Sequence, residues 1–254
     1  MKIIGVIPAR YASTRLPAKP LVMIAGQMLV ERVWRAARLA ESLDEVWIAT
    51  DDERIAAPAR AFGATVAMTP PECPSGTDRI AAAIEGREAD IVVNIQGDEP
   101  LMSASNIDAC VRALANDPAA AVSTPMVALV CENDYRAPHV VKVVCDSSGY
   151  ALYFSRAPIP DMSRMPAAER AAAAAAPLAM KHLGLYVYRR TALEAFVKMP
   201  PSRYETAEKL EQLRFIEAGC RIRMVQVEHD SIGVDTPEDV AAVEKKLAEM
   251  TRTV

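Results

Sequence analysis

Three cations stand close together near the start of the chain: Arg10, Arg15 and Lys19. No Asp or Glu lies between Lys2 and Glu31, so nothing nearby in sequence neutralises them. Arginine forks match phosphate oxygens in pairs, and lysine adds a point charge. The stretch is a candidate phosphate loop, although a solvated basic loop has the same composition. It carries neither Gly-x-x-x-x-Gly-Lys-Ser/Thr nor Gly-x-Gly-x-x-Gly, the signatures of P-loop and dinucleotide sites.

Two carboxylates could complement it. Asp98 lies in Gln96-Gly97-Asp98-Glu99-Pro100, where Gly97 permits a close backbone approach and a carboxylate could hold Mg²⁺ together with substrate phosphates. The same residues also suit an acidic turn closing a strand. Asp235 lies in Gly233-Val234-Asp235-Thr236-Pro237. It is either a second carboxylate for that metal or an ordinary helix-start acid. Further on, His182, Gly184 and Tyr186 share one side of a strand at period two, though a lone histidine is commonly structural. Glu208 and Glu211 are i,i+3 neighbours with Gln212 beside them, a spacing normally found on a solvated helix face.

These residues need elements to position them. Ile3 to Pro8 is a β-branched apolar run, and it reads as a buried strand whose end delivers the cationic loop. Strands are expected at 45–50, 65–68 and 91–95, and helices at 28–40, from about 53 to 62, 77–85 and 105–114. Such alternation predicts a parallel sheet covered on both faces, and open sheets of this kind bind ligands beyond the carboxyl ends of their strands. The pattern changes after Pro118. A strand at 121–129 is interrupted by Pro125. An antiparallel hairpin follows at 140–145 and 150–155, then a Pro- and Ala-rich flap to 177, and a strand at 184–188. Helices at 191–197 and 204–218 precede a strand at 221–227, and Thr236 caps a last helix. The expected layout is one domain of 1–254, with a core of about 1–120 and 220–254 and an insertion of about 121–219.

Composition narrows the function. The charged and hydrophobic fractions, 24% and 51%, are those of a soluble globular protein, and the net charge of -4 argues against a nucleic-acid or anionic-membrane surface. The cysteines are scattered and odd in number, so neither a disulfide framework nor a zinc site is expected. With no signal-like start and no long apolar run, a cytoplasmic protein is expected.

Taken together, several blocks resemble the 3-deoxy-manno-octulosonate cytidylyltransferases: Ile7-Pro-Ala-Arg-Tyr-Ala-Ser-Thr-Arg-Leu-Pro-Ala-Lys-Pro20, Ser75-Gly-Thr-Asp-Arg79, Asn94-Ile-Gln-Gly-Asp-Glu-Pro100, Tyr150-Ala-Leu-Tyr-Phe-Ser-Arg156, His182-Leu-Gly-Leu-Tyr186, Leu210-Glu-Gln-Leu-Arg214 and Gly233-Val-Asp-Thr-Pro-Glu-Asp239. They occur in the family's order along nearly the whole chain. The resemblance implies an α/β fold, with a mostly parallel, Rossmann-like nucleotidyltransferase sheet, helices on both faces and a smaller antiparallel insertion. It implies transfer of CMP from CTP to the acidic sugar Kdo, with release of pyrophosphate, for lipopolysaccharide assembly. By resemblance Arg10, Arg15 and Lys19 hold the triphosphate, and Arg10 and Lys19 act catalytically. Ser75 and Arg79 line the cytidine pocket, and Asp98 and Asp235 bind Mg²⁺. Gln96, Arg156, His182, Tyr186, Glu211 and Gln212 grip the sugar acid, with Arg156 on its carboxylate. A homodimer is implied as well. A sialic-acid cytidylyltransferase and a nucleotide-binding regulator without turnover are the alternatives; a nicotinamide-dependent dehydrogenase is disfavoured by the missing glycine fingerprint.

Overall fold

β1 (Ile3–Pro8) is buried along nearly its whole length because both of its faces are covered. The structure is a computed structural model, and it describes residues 1–12, 16–129, 131–166, 169 and 178–252. Arg15 and most of the Ala-rich segment lie outside the described residues.

Residues 1–108 and 231–254 form one compact unit. After β1 come β2 (Met23–Ile24) and β3 (Gln27–Met28), a small antiparallel hairpin. Its turn places Ala25 at φ 44° and Gly26 at φ 81°. Ala-Gly is a weaker hairpin signal than Asn-Gly for two left-handed residues, so this turn is not evident from the sequence. β4 (Glu45–Thr50), β5 (Thr65–Met68) and β6 (Ile91–Ile95) are all parallel, in the order β5-β4-β1-β6. Ile4, Val6, Ile48, Val92 and Val93 are buried, which is why these strands read as apolar runs rather than as alternating patterns. Helices Leu29–Ala37, Glu53–Ala61 and Gly76–Ala83 pack against β1, β4 and β5. The α/β fold expected from the alternation is the one observed.

Residues 109–230 form the second unit. β7 (Val122–Ala128) runs through Pro125 without a break. β8 (Lys142–Cys145) and β9 (Ala151–Ser155) form the expected antiparallel hairpin. Its turn is closed by Asp146 Oδ1, which accepts from the N–H groups of Ser148 and Tyr150, and by Gly149 at φ 81°. β10 (Met180–His182) and β11 (Leu185–Arg189) lie antiparallel to β7 one after the other, where a single strand was expected.

The gap between β10 and β11 explains why Pro125 is tolerated. Its carbonyl accepts from the Leu183 N–H, and in a strand a residue's N–H and C=O point the same way. The missing N–H of Pro125 therefore faces the gap, so no ladder bond is lost.

β12 (Ile222–Gln226) pairs in parallel with β7 over its whole length. It belongs to this second unit, and the chain returns to the first at 231. The helix expected at 204–218 is broken instead, into Arg203–Glu208 and Leu213–Glu217. Lys209 takes a left-handed conformation, φ 55°, and turns the chain. Among the described residues no helix is long and apolar enough to cross a membrane.

Candidate active site

In the first unit, three of the expected residues meet. Asp98 follows β6, and Asp235 precedes the C-terminal helix Pro237–Arg252. The Val234 N–H donates to the Asp98 carbonyl at 2.8 Å, which joins the two loops. Lys19, at the start of a 3₁₀ turn Lys19–Leu21, donates to Asp98 Oδ2 at 2.6 Å and to Asp235 Oδ1 at 2.9 Å. Burial works to lower the Lys19 pKa, but Asp98 and Asp235 outweigh it and hold it above its ordinary value. Two carboxylates thus converge on one cation at the carboxyl end of a parallel strand.

Other local devices hold this corner. Asp239 Oδ2 accepts from the N–H groups of Asp235 and Thr236, at 2.9 and 2.8 Å, which fixes the loop that carries Asp235. Gly97 has a steric reason. A Cβ there would stand 2.8 Å from the Pro8 carbonyl oxygen, so the close approach that was expected toward a ligand is made by β1. Gln96 donates to Asn94 Oδ1 at 3.1 Å. Arg10 is exposed and engages no charged partner among the described residues.

The expected nucleotide-side residues sit beyond β5. Ser75 caps helix Gly76–Ala83: its hydroxyl accepts from the Asp78 N–H and donates to Asp78 Oδ2 at 2.7 Å. Arg79 is buried, with Nη1 on Thr69 Oγ1 at 2.6 Å and 3.2 Å from Asp51 Oδ1. Asp51 and Thr69, which sequence reasoning did not single out, hold that guanidinium. Each immediately follows a strand, β4 or β5, and that placement was the available signal.

Apart from Gln96, the expected sugar-side residues lie in the second unit. His182 is buried on β10, and its Nε2 is 2.8 Å from Thr124 Oγ1. The Thr124 hydroxyl donates to the Leu185 carbonyl at 2.6 Å, so it accepts from a neutral Nε2–H imidazole. Burial pushes the His182 pKa down to about 3. The ring also contacts Phe154 edge-on and Tyr186. Glu211 and Gln212 lie between the two short helices. Gln212 is buried, and its Nε2 has no hydrogen-bond partner among the described residues, although a buried amide normally has one. Arg156 follows β9, and its guanidinium donates to the carbonyls of Glu208, Pro138 and Lys209. Glu208 does not face solvent as its spacing suggested. It accepts from the Ser155 hydroxyl at 2.6 Å and from the Arg156 N–H at 2.9 Å.

A sequence profile described as cytidylyltransferase matches residues 4–223. A 3-deoxy-manno-octulosonate cytidylyltransferase of Geobacter sulfurreducens is 48% identical over 254 residues, covering 97% of this chain and all of that protein. The chain belongs to the 3-deoxy-manno-octulosonate cytidylyltransferase family. The like-named protein of Syntrophobacter fumaroxidans is also 48% identical, over 98% of both chains. A solved member of the family, a CMP:2-keto-3-deoxy-manno-octonic acid synthetase complexed with CTP, superposes with a TM-score of 0.90 at 39% identity, covering 98% of this chain and all of that one. A cytidylyltransferase of Leptospira borgpetersenii shares the fold, with a TM-score of 0.64 at 16% identity.

For a member of this nucleotidyltransferase family, the Asp98–Asp235 pair fits a hard divalent cation. It offers carboxylate oxygens that already converge on a positive charge. Among the described residues no group of three or more His, Cys, Asp or Glu side chains could hold a metal, and two carboxylates leave room in its shell for phosphate oxygens and water. That is the usual way Mg²⁺ is held in phosphoryl-transfer sites.

Proposed function

We propose that this chain transfers CMP from CTP to Kdo, giving CMP-Kdo and pyrophosphate for lipopolysaccharide assembly. The observation that carries the reading is the meeting of Asp98 and Asp235 on one cation, in a chain 48% identical along its length to named family members. Arg10, Arg15 and Lys19 bind the triphosphate. Ser75 and Arg79 form part of the cytidine site, where Arg79 is held rigid by Asp51 and Thr69.

The sugar hydroxyl attacks the α-phosphorus in line with the departing pyrophosphate. No covalent enzyme intermediate is needed, so the work is positioning and charge neutralisation. Arg10 and Lys19 neutralise the charge that builds on the phosphates. Bound at Asp98 and Asp235, Mg²⁺ would supply Lewis-acid polarisation of the phosphate and a lowered pKa for the attacking hydroxyl. The stretch between 121 and 219 carries most of the sugar side: Arg156 on the carboxylate, with His182, Tyr186, Glu211 and Gln212, and Gln96 from the nucleotide side. The neutral imidazole of His182 supports a hydrogen-bonding role rather than an ionic one. The buried, unpartnered Gln212 amide is a donor that a sugar oxygen would satisfy. The working enzyme is a cytoplasmic homodimer.

The test is pyrophosphate release from CTP or UTP, with Mg²⁺ and either Kdo or a sialic acid. Release with CTP and Kdo alone, ended by EDTA and restored by Mg²⁺, is expected. Release with sialic acid but not with Kdo overturns the substrate, and undiminished release in EDTA overturns the metal.

A further inference from the structure

Lys142 is completely buried on β8, and a buried ammonium is costly unless all three of its donors are used. They are. Its Nζ donates to the carbonyls of Ala137 at 2.9 Å, Val140 at 2.7 Å and Arg156 at 2.6 Å. The third bond ties down the carbonyl of the residue expected to meet the sugar carboxylate. The N–H of that same residue is tied to Glu208 Oε2 at 2.9 Å, while Glu208 Oε1 takes the Ser155 hydroxyl. The Arg156 side chain is then braced by Nε on the Glu208 carbonyl at 2.9 Å, Nη1 on the Pro138 carbonyl at 3.1 Å and Nη2 on the Lys209 carbonyl at 3.4 Å.

Both backbone polar groups of Arg156 and its guanidinium are therefore fixed from several elements. Arginine has five N–H donors, and these braces use Nε and one hydrogen on each terminal nitrogen. One donor on each terminal nitrogen is left, which suits a carboxylate taken in two-point fashion. Charge agrees with this count. Lys142 and Arg156 bring two positive charges and Glu208 one negative, so the triad has room for one more anion. Burial first, and the nearby Arg156 second, lower the Lys142 pKa against the pull of Glu208, as expected where cations outnumber the acid.

We propose that Lys142 and Glu208 are positioning residues that hold Arg156 as a preset fork for the carboxylate of the sugar acid. Neither touches the ligand; both act through Arg156. The inference rests on the reading of Arg156 as the carboxylate-binding arginine. It goes beyond that reading by naming what sets the fork and by explaining why a fully buried lysine is placed on β8.

The experiment uses steady-state kinetics of the full chain with CTP, Mg²⁺ and Kdo, comparing Lys142→Met, Arg156→Gln and the double variant. Lys142→Met is expected to raise KM for Kdo by about tenfold while KM for CTP stays within about twofold. In the Arg156→Gln background, Lys142→Met should add no further increase, because two residues acting through one contact are not additive. A lysine that only supports the fold would disturb both KM values, or add its full effect in the double variant, and either result overturns the proposal. If Arg156→Gln raises KM for Kdo and Lys142→Met does not, this inference fails and the Arg156 reading stands. If neither variant raises it, the Arg156 reading fails and takes this inference with it. Should Lys142→Met not fold, Glu208→Gln takes its place, since it keeps the side-chain shape but loses the charge and one acceptor. The same split in KM is expected, and an unchanged KM for Kdo overturns the proposal.

Discussion

Lys19 is held by carboxylates 79 and 216 residues away along the chain. If Asp98 and Asp235 hold the metal as proposed, the ammonium stands in its place and the two cations compete. Mn²⁺, a spectroscopic stand-in for Mg²⁺, should bind Lys19→Met about five- to tenfold more tightly than the unaltered chain when no nucleotide is present, the scale of one or two half-exposed ion pairs. Electron paramagnetic resonance titration reads the free Mn²⁺ directly. Equal or weaker binding by the variant would mean that the lysine does not hold the metal's place. The residue types here were legible in the sequence, where a cationic stretch, Asp98 and Asp235 each stood out. Their meeting was not legible, because each had an adequate local explanation and nothing in spacing joins positions so far apart. Glu208 shows the converse. Its helical spacing pointed to solvent, and only the turn at Lys209 carries it onto Ser155 and Arg156.

At the scale of elements, a buried ion pair braces the short helices after residue 200. Glu205 closes a capping box with Ser202 and takes Arg214 in two-point fashion, at 2.7 and 2.5 Å, with both side chains largely buried. Burial pushes the Glu205 carboxyl up, but Arg214 and the Ser202 backbone outweigh it and hold the group below its usual range. Its contribution is therefore complete above the ordinary glutamate pKa of about 4.3 and is lost as pH falls through the lowered value. Glu205→Gln should cost about 2–4 kcal/mol at pH 7, because a buried arginine loses its counter-charge. Urea unfolding checks this; a loss below about 0.5 kcal/mol would place the pair among ordinary surface bridges. Strand identities at this scale followed from apolar runs such as β4 and β6, and helix identities from periodicity. The split of β10 from β11 and the break at Lys209 were not readable. Both are set by partners across the sheet or around the corner rather than by local preference.

For the molecule as a whole, His182 links stability to pH. Buried and neutral, with its pKa down at about 3, it contrasts with an unfolded histidine near 6.5. Above about pH 6.5 its contribution to stability is complete. As pH falls from there toward 3 the unfolded chain gains a proton that the folded chain refuses, and stability drops by up to about 1.4 kcal/mol per pH unit. Replacing His182 by Gln should remove that slope. Urea midpoints between pH 7 and 5 measure it, and identical slopes for the two proteins would show that His182 is not held neutral. The same burial leaves no titration near pH 6.5 for this residue to impose on activity.

The sequence by itself determined the α/β class, the order of most elements and the residues able to meet phosphate and metal. Each of these depends on local periodicity, turn chemistry or side-chain type, which a linear chain displays. The tertiary structure decided which charges meet. Lys19 lies between Asp98 and Asp235, Arg79 is held by Asp51 and Thr69, and Lys142 and Glu208 fix Arg156. An ion pair depends on distances of a few ångströms, and chain folding sets those distances independently of sequence separation. For the same reason the opening cationic stretch could be recognised as suited to phosphate, while the carboxylates that complete it became visible only once the loops after β6 and before the last helix were brought together.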